Sequence, residues 1–138
     1  MTGRVFAFAQ KVLFKHCDPA GIVFYPRYFE MMNDCVEAFF SDALNAPFED
    51  LHRTGATPTV TIETTFPAPS RHGDELIIEL RIVRLGTSSL GLKMQASCNG
   101  DIRFETTSTL VKVDRDGRPY PWPPALRTAL APYLGDTT

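Results

Sequence analysis

Residues 25–40 read Tyr25-Pro-Arg-Tyr-Phe-Glu-Met-Met-Asn-Asp-Cys-Val-Glu-Ala-Phe-Phe40, and their periodicity decides the fold. Phe29, Met32, Cys35, Val36, Phe39 and Phe40 recur at spacings of three and four, with Glu30, Asn33, Asp34 and Glu37 between them. That is the spacing of a helix with one apolar face. Pro26 suits its first turn, where no N–H is needed. The pattern predicts a helix from Tyr25 or Pro26 to about Leu44. Its apolar arc is wide and heavily aromatic, so a sheet is expected to wrap it and make it the central core element.

The segments on either side read as strands. Upstream, Phe6, Phe8, Val12 and Phe14 alternate with Ala7, Ala9, Lys11 and Leu13, which predicts a strand within residues 4–14. Downstream, Ala46-Pro47, Leu51 and Gly55 form a connection with room for one short helical turn. Four strands follow. Val60, Ile62, Thr64 and Phe66 alternate with Thr59, Thr61, Glu63 and Thr65, and Pro67 closes that strand. Leu76, Ile78, Leu80 and Ile82 mark the next, between turns at Gly73-Asp74 and Gly86-Thr87. Leu90, Leu92, Met94, Ala96 and Cys98 mark the third, and Asn99-Gly100 is a two-residue hairpin turn, both positions tolerating positive φ. The last runs from about Ile102 to Val113. A proline-rich tail with Trp122 then feeds a short amphipathic helix, Ala125 to about Leu134. Strand, long helix, then four strands joined by short turns describe an α+β domain: an antiparallel sheet of about five strands curled around one helix.

Composition sets the outer bounds. A chain of 138 residues, 43% hydrophobic, fits a single domain over residues 1–138 that needs no disulfide or metal to staple it. A formal charge of −2 supplies no field to hold a polyanion, so nucleic acid is not an expected partner. No apolar run reaches membrane-spanning length, and Gln10 and Lys11 interrupt the N-terminal segment before a signal-type run develops. Cys17, Cys35 and Cys98 are odd in number and lack C-x-x-C spacing, so neither a disulfide framework nor a bound metal is expected, and a reducing cytoplasm fits.

Chemistry concentrates just before the helix, in His16-Cys-Asp-Pro-Ala-Gly-Ile-Val-Phe-Tyr-Pro-Arg-Tyr28. Asp18 is a carboxylate in a loop punctuated by proline and glycine. A helix N-terminus leaves N–H groups unpaired and carries partial positive charge, which is what a carbonyl turning into an oxyanion requires. Because Pro26 has no N–H, Tyr25 and Phe24 are the last free donors before the helix begins. Gly21 lets the backbone pass close to a ligand. The plainer reading of Asp18-Pro19-Ala20-Gly21 is an Asx turn at the helix entry.

The run Asp18-Pro-Ala-Gly-Ile-Val-Phe-Tyr-Pro-Arg-Tyr28 closely resembles the active-site signature D-P-A-G-I-V-[WF]-Y-P-x-Y of the 4-hydroxybenzoyl-CoA thioesterase family, and the element order resembles the hotdog fold of that family. The resemblance implies an acyl-CoA thioesterase that cleaves an aromatic or short-chain acyl thioester, with Asp18 catalytic as nucleophile or general base. It also implies that the Tyr25 amide polarises the thioester carbonyl. No cofactor is then needed, coenzyme A being part of the substrate. The resemblance further implies a homodimer or homotetramer, since the sheet's exposed edges would pair with a second copy. Phe24 and Tyr28 are candidates to line the acyl pocket. Basic residues cluster near the hairpin at Gly86–Ser89 in that family; here Arg84, Ser88 and Ser89 are the candidates to bind coenzyme A phosphates, with Lys93, Arg71 and His72 as further basic groups.

Competing readings use neighbouring residues. A nucleophilic Cys17 is disfavoured because strand neighbours point to opposite faces, so Cys17 reads as a small buried thiol. His16 reads as a surface or loop histidine, or as a partner that tunes Asp18. Glu30 and Glu37 share a helical face and read as solvated or interface residues, with Glu37 a minor catalytic candidate because the resemblance extends to hotdog thioesterases that carry their carboxylate on this helix. Two other functions stay open: an enoyl-thioester hydratase or dehydratase, with His16 and Asp18 as its acid/base pair, and a non-catalytic acyl-CoA-binding module.

Overall fold

The computed structural model describes residues 3–135, so residues 1–2 and 136–138 of the expected domain lie outside the described residues. The main sheet has five antiparallel strands in the order β1-β4-β5-β6-β3. These are β1 (Phe6–Lys11), β3 (Thr59–Thr65), β4 (Glu75–Leu85), β5 (Ser89–Cys98) and β6 (Asp101–Val111). A two-residue ladder joins β2 (Gly55–Ala56) to β7 (Val113–Asp114). The helices are α1 (Tyr25–Ala38), α2 (Phe48–Leu51) and α3 (Pro124–Leu130). This is the α+β architecture the periodicities predicted, arranged as the hotdog fold that the resemblance implied. No described helix is long and apolar enough to cross a membrane.

The core forms where the concave face of the sheet meets α1. Leu76, Ile78, Leu80 and Ile82 of β4 and Leu90, Leu92, Met94 and Ala96 of β5 are buried with Met31, Met32, Cys35 and Val36 of the helix. Phe39 and Phe40 are fully buried and meet edge to face, with ring centroids 5.9 Å apart. Phe40 also faces the buried Trp122 at 6.5 Å, so Trp122 is a packing anchor for the C-terminal segment. The Asn99-Gly100 hairpin is formed as expected, both residues having positive φ (51° and 81°).

Several boundaries differ from the expectations, for local reasons. The first strand stops at Lys11, and residues 14–16 make a 3-10 turn because His16 folds back on Leu13: the Leu13 N–H donates to His16 Nδ1 at 2.8 Å, and the His16 N–H to Leu13 O at 3.0 Å. The long helix does reach Leu44, but its last turn, Phe39–Ala43, is a π-turn closed by Leu44 N–H to Phe39 O at 3.1 Å. The C-terminal helix shifts to a 3-10 turn over Ala131–Tyr133, where Pro132 lacks the N–H an α-helix would use. The two-residue β2–β7 ladder is too short to leave a periodic trace.

β3 is an edge strand. Both of its faces are largely open: Val60 is 55% exposed and Ile62 46%, although their alternation would suit a buried face.

Candidate active site

The loop between β1 and α1 folds back on itself as a narrow hairpin. Cys17 bridges Val23, the Asp18 N–H donates to Ile22 O at 2.9 Å, and the Phe24 N–H donates to His16 O at 2.9 Å. Gly21, at φ +81°, makes the return with its N–H on Asp18 O at 2.9 Å. A β-carbon would be strained in that conformation.

Asp18 is half-buried. Its Oδ1 accepts the Ala20 N–H at 2.9 Å, so the Asx turn is present, while Oδ2 has no hydrogen-bond partner among the described residues. One oxygen orients the carboxylate and the other is available. Phe24 ends the extended segment (φ −71°, ψ 122°) and Tyr25 begins α1. Among the described residues no acceptor engages the Tyr25 N–H, as expected for the first residue of a helix. The Phe24 N–H is bound to His16 O, which corrects the expectation that it would also be a free donor. Tyr25 and Phe24 are 59% and 48% exposed, so both residues lie at the surface.

His16 is buried at 5% exposure, and not the surface histidine the sequence suggested. Burial, with Lys15 nearby, holds its pKa below the ordinary 6.5. With Nδ1 accepting from Leu13, the neutral ring carries its proton on Nε2. No hydrogen bond joins His16 to Asp18 among the described residues. Between pH 6.5 and the lower folded pKa, the unfolded chain binds a proton that the folded chain refuses, so stability falls as pH drops through this window. One proton bounds that slope at about 1.4 kcal/mol per pH unit. His16→Asn keeps an acceptor for the Leu13 N–H and cannot titrate, so its melting temperature should vary less between pH 7 and 5 than that of the wild type. Equal acid sensitivity in both proteins would show that His16 is not the origin.

The remaining candidates separate. Tyr28 is 3% exposed and its hydroxyl donates to Ser70 Oγ at 2.8 Å, so it is a buried link and not an open pocket wall. Arg71 bridges Ile22, and the His72 ring lies 6.0 Å from that of Phe14, so both border the Asp18 loop in the same protomer. Arg84, Ser88 and Ser89 do not: Arg84 lies near the C-terminal end of β4 and Ser88 and Ser89 at its turn into β5, so most of the length of β4, about 30 Å along the strand, separates them from the loop. There the Ser88 carbonyl accepts the Lys112 N–H at 2.7 Å and the Ser89 carbonyl accepts Trp122 Nε1 at 3.1 Å. Lys93 lies exposed on β5, opposite Arg81 of β4. Glu30 is an exposed partner of Arg27 at 2.8 Å, and Glu37 is exposed.

Of the three free cysteines, Cys35 and Cys98 are buried. Cys17 is half-buried with its thiol 3.7 Å from Leu13 O, and burial pushes the Cys35 thiol up to about 12. Among the described residues no group of three or more His, Cys, Asp or Glu side chains is placed to hold a metal ion.

A cleft of about 590 Å³ runs along α1 beyond its first turn, between Phe29, Met32 and Val36 on one side and Ile62, Met94 and Leu110 on the other. Neither Asp18 nor Tyr25 lines it. Asn33, His52 and Ser108 are among the polar groups in its walls.

A hotdog sheet wraps a buried helix here, and a carboxylate and an unengaged helix-terminal N–H stand at the helix entry. The model of the thioesterase-like superfamily matches residues 12–130, and the chain belongs to that superfamily. It is a thioester hydrolase. Comparison with curated proteins finds no match. Among solved structures, the chain is similar to the 1,4-dihydroxy-2-naphthoyl-CoA thioesterase of Synechocystis, at 20% identity and TM-score 0.86, covering 93% of this chain and 96% of that one. It is similar to a gentisyl-coenzyme A thioesterase at 27% identity and TM-score 0.80, covering 92% and 99%. A Staphylococcus aureus protein in complex with CoA is similar at 18% identity and TM-score 0.87, covering 96% and 85%.

Proposed function

We propose that this protein hydrolyses an aromatic, benzoyl- or hydroxybenzoyl-like, or short-chain acyl-CoA to the free acid and CoA, with Asp18 as nucleophile or general base and the Tyr25 N–H as oxyanion donor. The observation that carries this reading is the pairing, in one short loop, of an oriented carboxylate with an unengaged Oδ2 and an unengaged N–H at the start of α1. Two of the similar solved structures are named as thioesterases of hydroxylated aromatic acyl-CoA esters, which supports an aromatic substrate.

The thioester carbonyl oxygen accepts from the Tyr25 N–H, and negative charge develops where the helix terminus is most positive. In the nucleophilic route Asp18 Oδ2 bonds to the carbonyl carbon, the C–S bond breaks, and CoA leaves as thiolate. Water then cleaves the mixed anhydride, returning the carboxylate and releasing the acid. In the general-base route Oδ2 takes a proton from the attacking water instead. Neither route calls on a metal or redox cofactor; coenzyme A enters with the substrate.

The chain self-associates in this reading, as a homodimer or homotetramer in the cytoplasm. The exposed β3 edge, with Val60, Ile62 and Phe66 open to solvent, supports pairing with a second copy. In such an assembly Arg84, Ser88 and Ser89 would serve a site whose Asp18 belongs to another protomer.

Thiol release from benzoyl-, hydroxybenzoyl-, phenylacetyl- and short straight-chain CoA esters tests the proposal. Turnover of an aromatic or short-chain ester is expected. Binding without turnover would favour an acyl-CoA-binding module, and hydration of crotonyl-CoA would favour a hydratase. The hydratase reading needs a His16–Asp18 pair, and the Nδ1 of His16 is already taken by Leu13.

A further inference from the structure

Behind the Asp18 loop lies a polar network that neither route uses. Ser70 is fully buried and stands at its crossing point. Its carbonyl accepts the Val23 N–H at 2.9 Å, and its Oγ accepts from the Tyr28 hydroxyl at 2.8 Å and from Arg103 Nη1 at 3.2 Å. Arg103 reaches in from β6 and is held at 2.7 Å by Asp74 and at 2.9 Å by Asp101. The Asp74 Oδ2 also accepts the Arg71 N–H at 2.9 Å, and Arg71 in turn bridges Ile22.

Two separate pieces of the site therefore meet on one residue. Val23 belongs to the returning arm of the hairpin that carries Asp18. Tyr28 stands in the first turn of α1, whose start carries the Tyr25 N–H. Ser70 bonds to both, and Arg103 with Asp74 fixes Ser70. Resting on the thioesterase reading above, the geometry points to Tyr28, Ser70 and Arg103 as positioning residues that set the placement of the Tyr25 N–H relative to the Asp18 carboxylate.

The chemistry of each group suits that task. Burial raises the Tyr28 phenol above its ordinary pKa, so it stays a donor. The Arg71 N–H and the Arg103 guanidinium hold Asp74 below the usual carboxylate range, so it stays an anion facing a permanent cation. A guanidinium can reach Ser70, Asp74 and Asp101 together because its donors form a rigid fork; a lysine ammonium on a flexible stem cannot reproduce that arrangement. The Tyr28 ring is independently held by Phe66 at 5.3 Å and Phe104 at 5.5 Å, so removing its hydroxyl leaves the packing in place.

Tyr28→Phe and Arg103→Lys test the inference. With an ester that the wild type hydrolyses, each should lower kcat roughly ten- to hundredfold with KM within about twofold, since a small misplacement of reacting groups costs rate more than binding. Amide hydrogen exchange over residues 17–28 should quicken in both variants while the rest of the sheet keeps its protection. Tyr28→Phe combined with Ser70→Ala should cost little more than the worse single change, because both remove the same link. Unchanged kcat in Tyr28→Phe, or a matching fall in protection across the whole sheet, overturns the inference. A wild type that turns over no thioester sinks the thioesterase reading alone; loop exchange then decides, and unaltered protection at residues 17–28 in both variants overturns the positioning role.

Discussion

Asp18→Asn should lower kcat roughly a thousandfold or more while leaving the fold intact, because it removes the one charged oxygen that can attack or take a proton. The substitution is conservative where structure is concerned. The Asn side-chain oxygen can still accept the Ala20 N–H that Asp18 Oδ1 accepts at 2.9 Å, so the turn and the hairpin are retained. What is lost is the anion at Oδ2. Steady-state hydrolysis measured beside a thermal melt checks this: near-normal activity in a well-folded Asp18→Asn protein would remove Asp18 from its role.

The second large effect concerns a backbone atom. Tyr25→Pro deletes the N–H proposed to stabilise the oxyanion and should cost about 10²–10³ in kcat, the usual loss for one such donor. The local conformation accepts proline. Tyr25 is the first residue of α1, where proline fits, and Phe24 at φ −71°, ψ 122° already lies in the extended region a following proline demands. No hydrogen bond among the described residues is broken, since the Tyr25 N–H engages none. Tyr25→Phe keeps the N–H and serves as control. If Tyr25→Pro and Tyr25→Phe lose activity equally, the side chain matters and the amide does not.

Most of the fold was legible because its elements are long and their faces differ. The 3.6-residue recurrence from Phe29 to Phe40 and the twofold alternation in β4 and β5 each describe a surface buried on one side, and such patterns survive tertiary packing. The Asn99-Gly100 turn was legible because it needs positive φ at both positions. The strand end at Lys11 was not, since it depends on His16 turning back onto Leu13. The exposure of Val60 and Ile62 was hidden too, because alternation reports a face and says nothing of what covers it.

In the candidate site, the local part was legible and the distant part was not. Asp18, Gly21 and Tyr25 lie in one continuous segment whose turn chemistry and helix entry can be read residue by residue. Ser70, Asp74 and Arg103 were missed. The stretch Pro69-Ser-Arg-His-Gly-Asp74 reads only as a turn, and nothing in the neighbours of Arg103 along its strand marks it.

By itself, then, the sequence determined the order of strand, helix and strands, the buried face of α1, and the placement of a carboxylate just ahead of a helix N-terminus, because each is set by neighbours within a few residues. Tertiary structure alone decided which end of the sheet carries the loop, that Arg84, Ser88 and Ser89 lie about 30 Å from it along β4, and that Ser70 ties Val23 to Tyr28. Those relations depend on strand order and register, which bring together residues that no spacing along the chain connects.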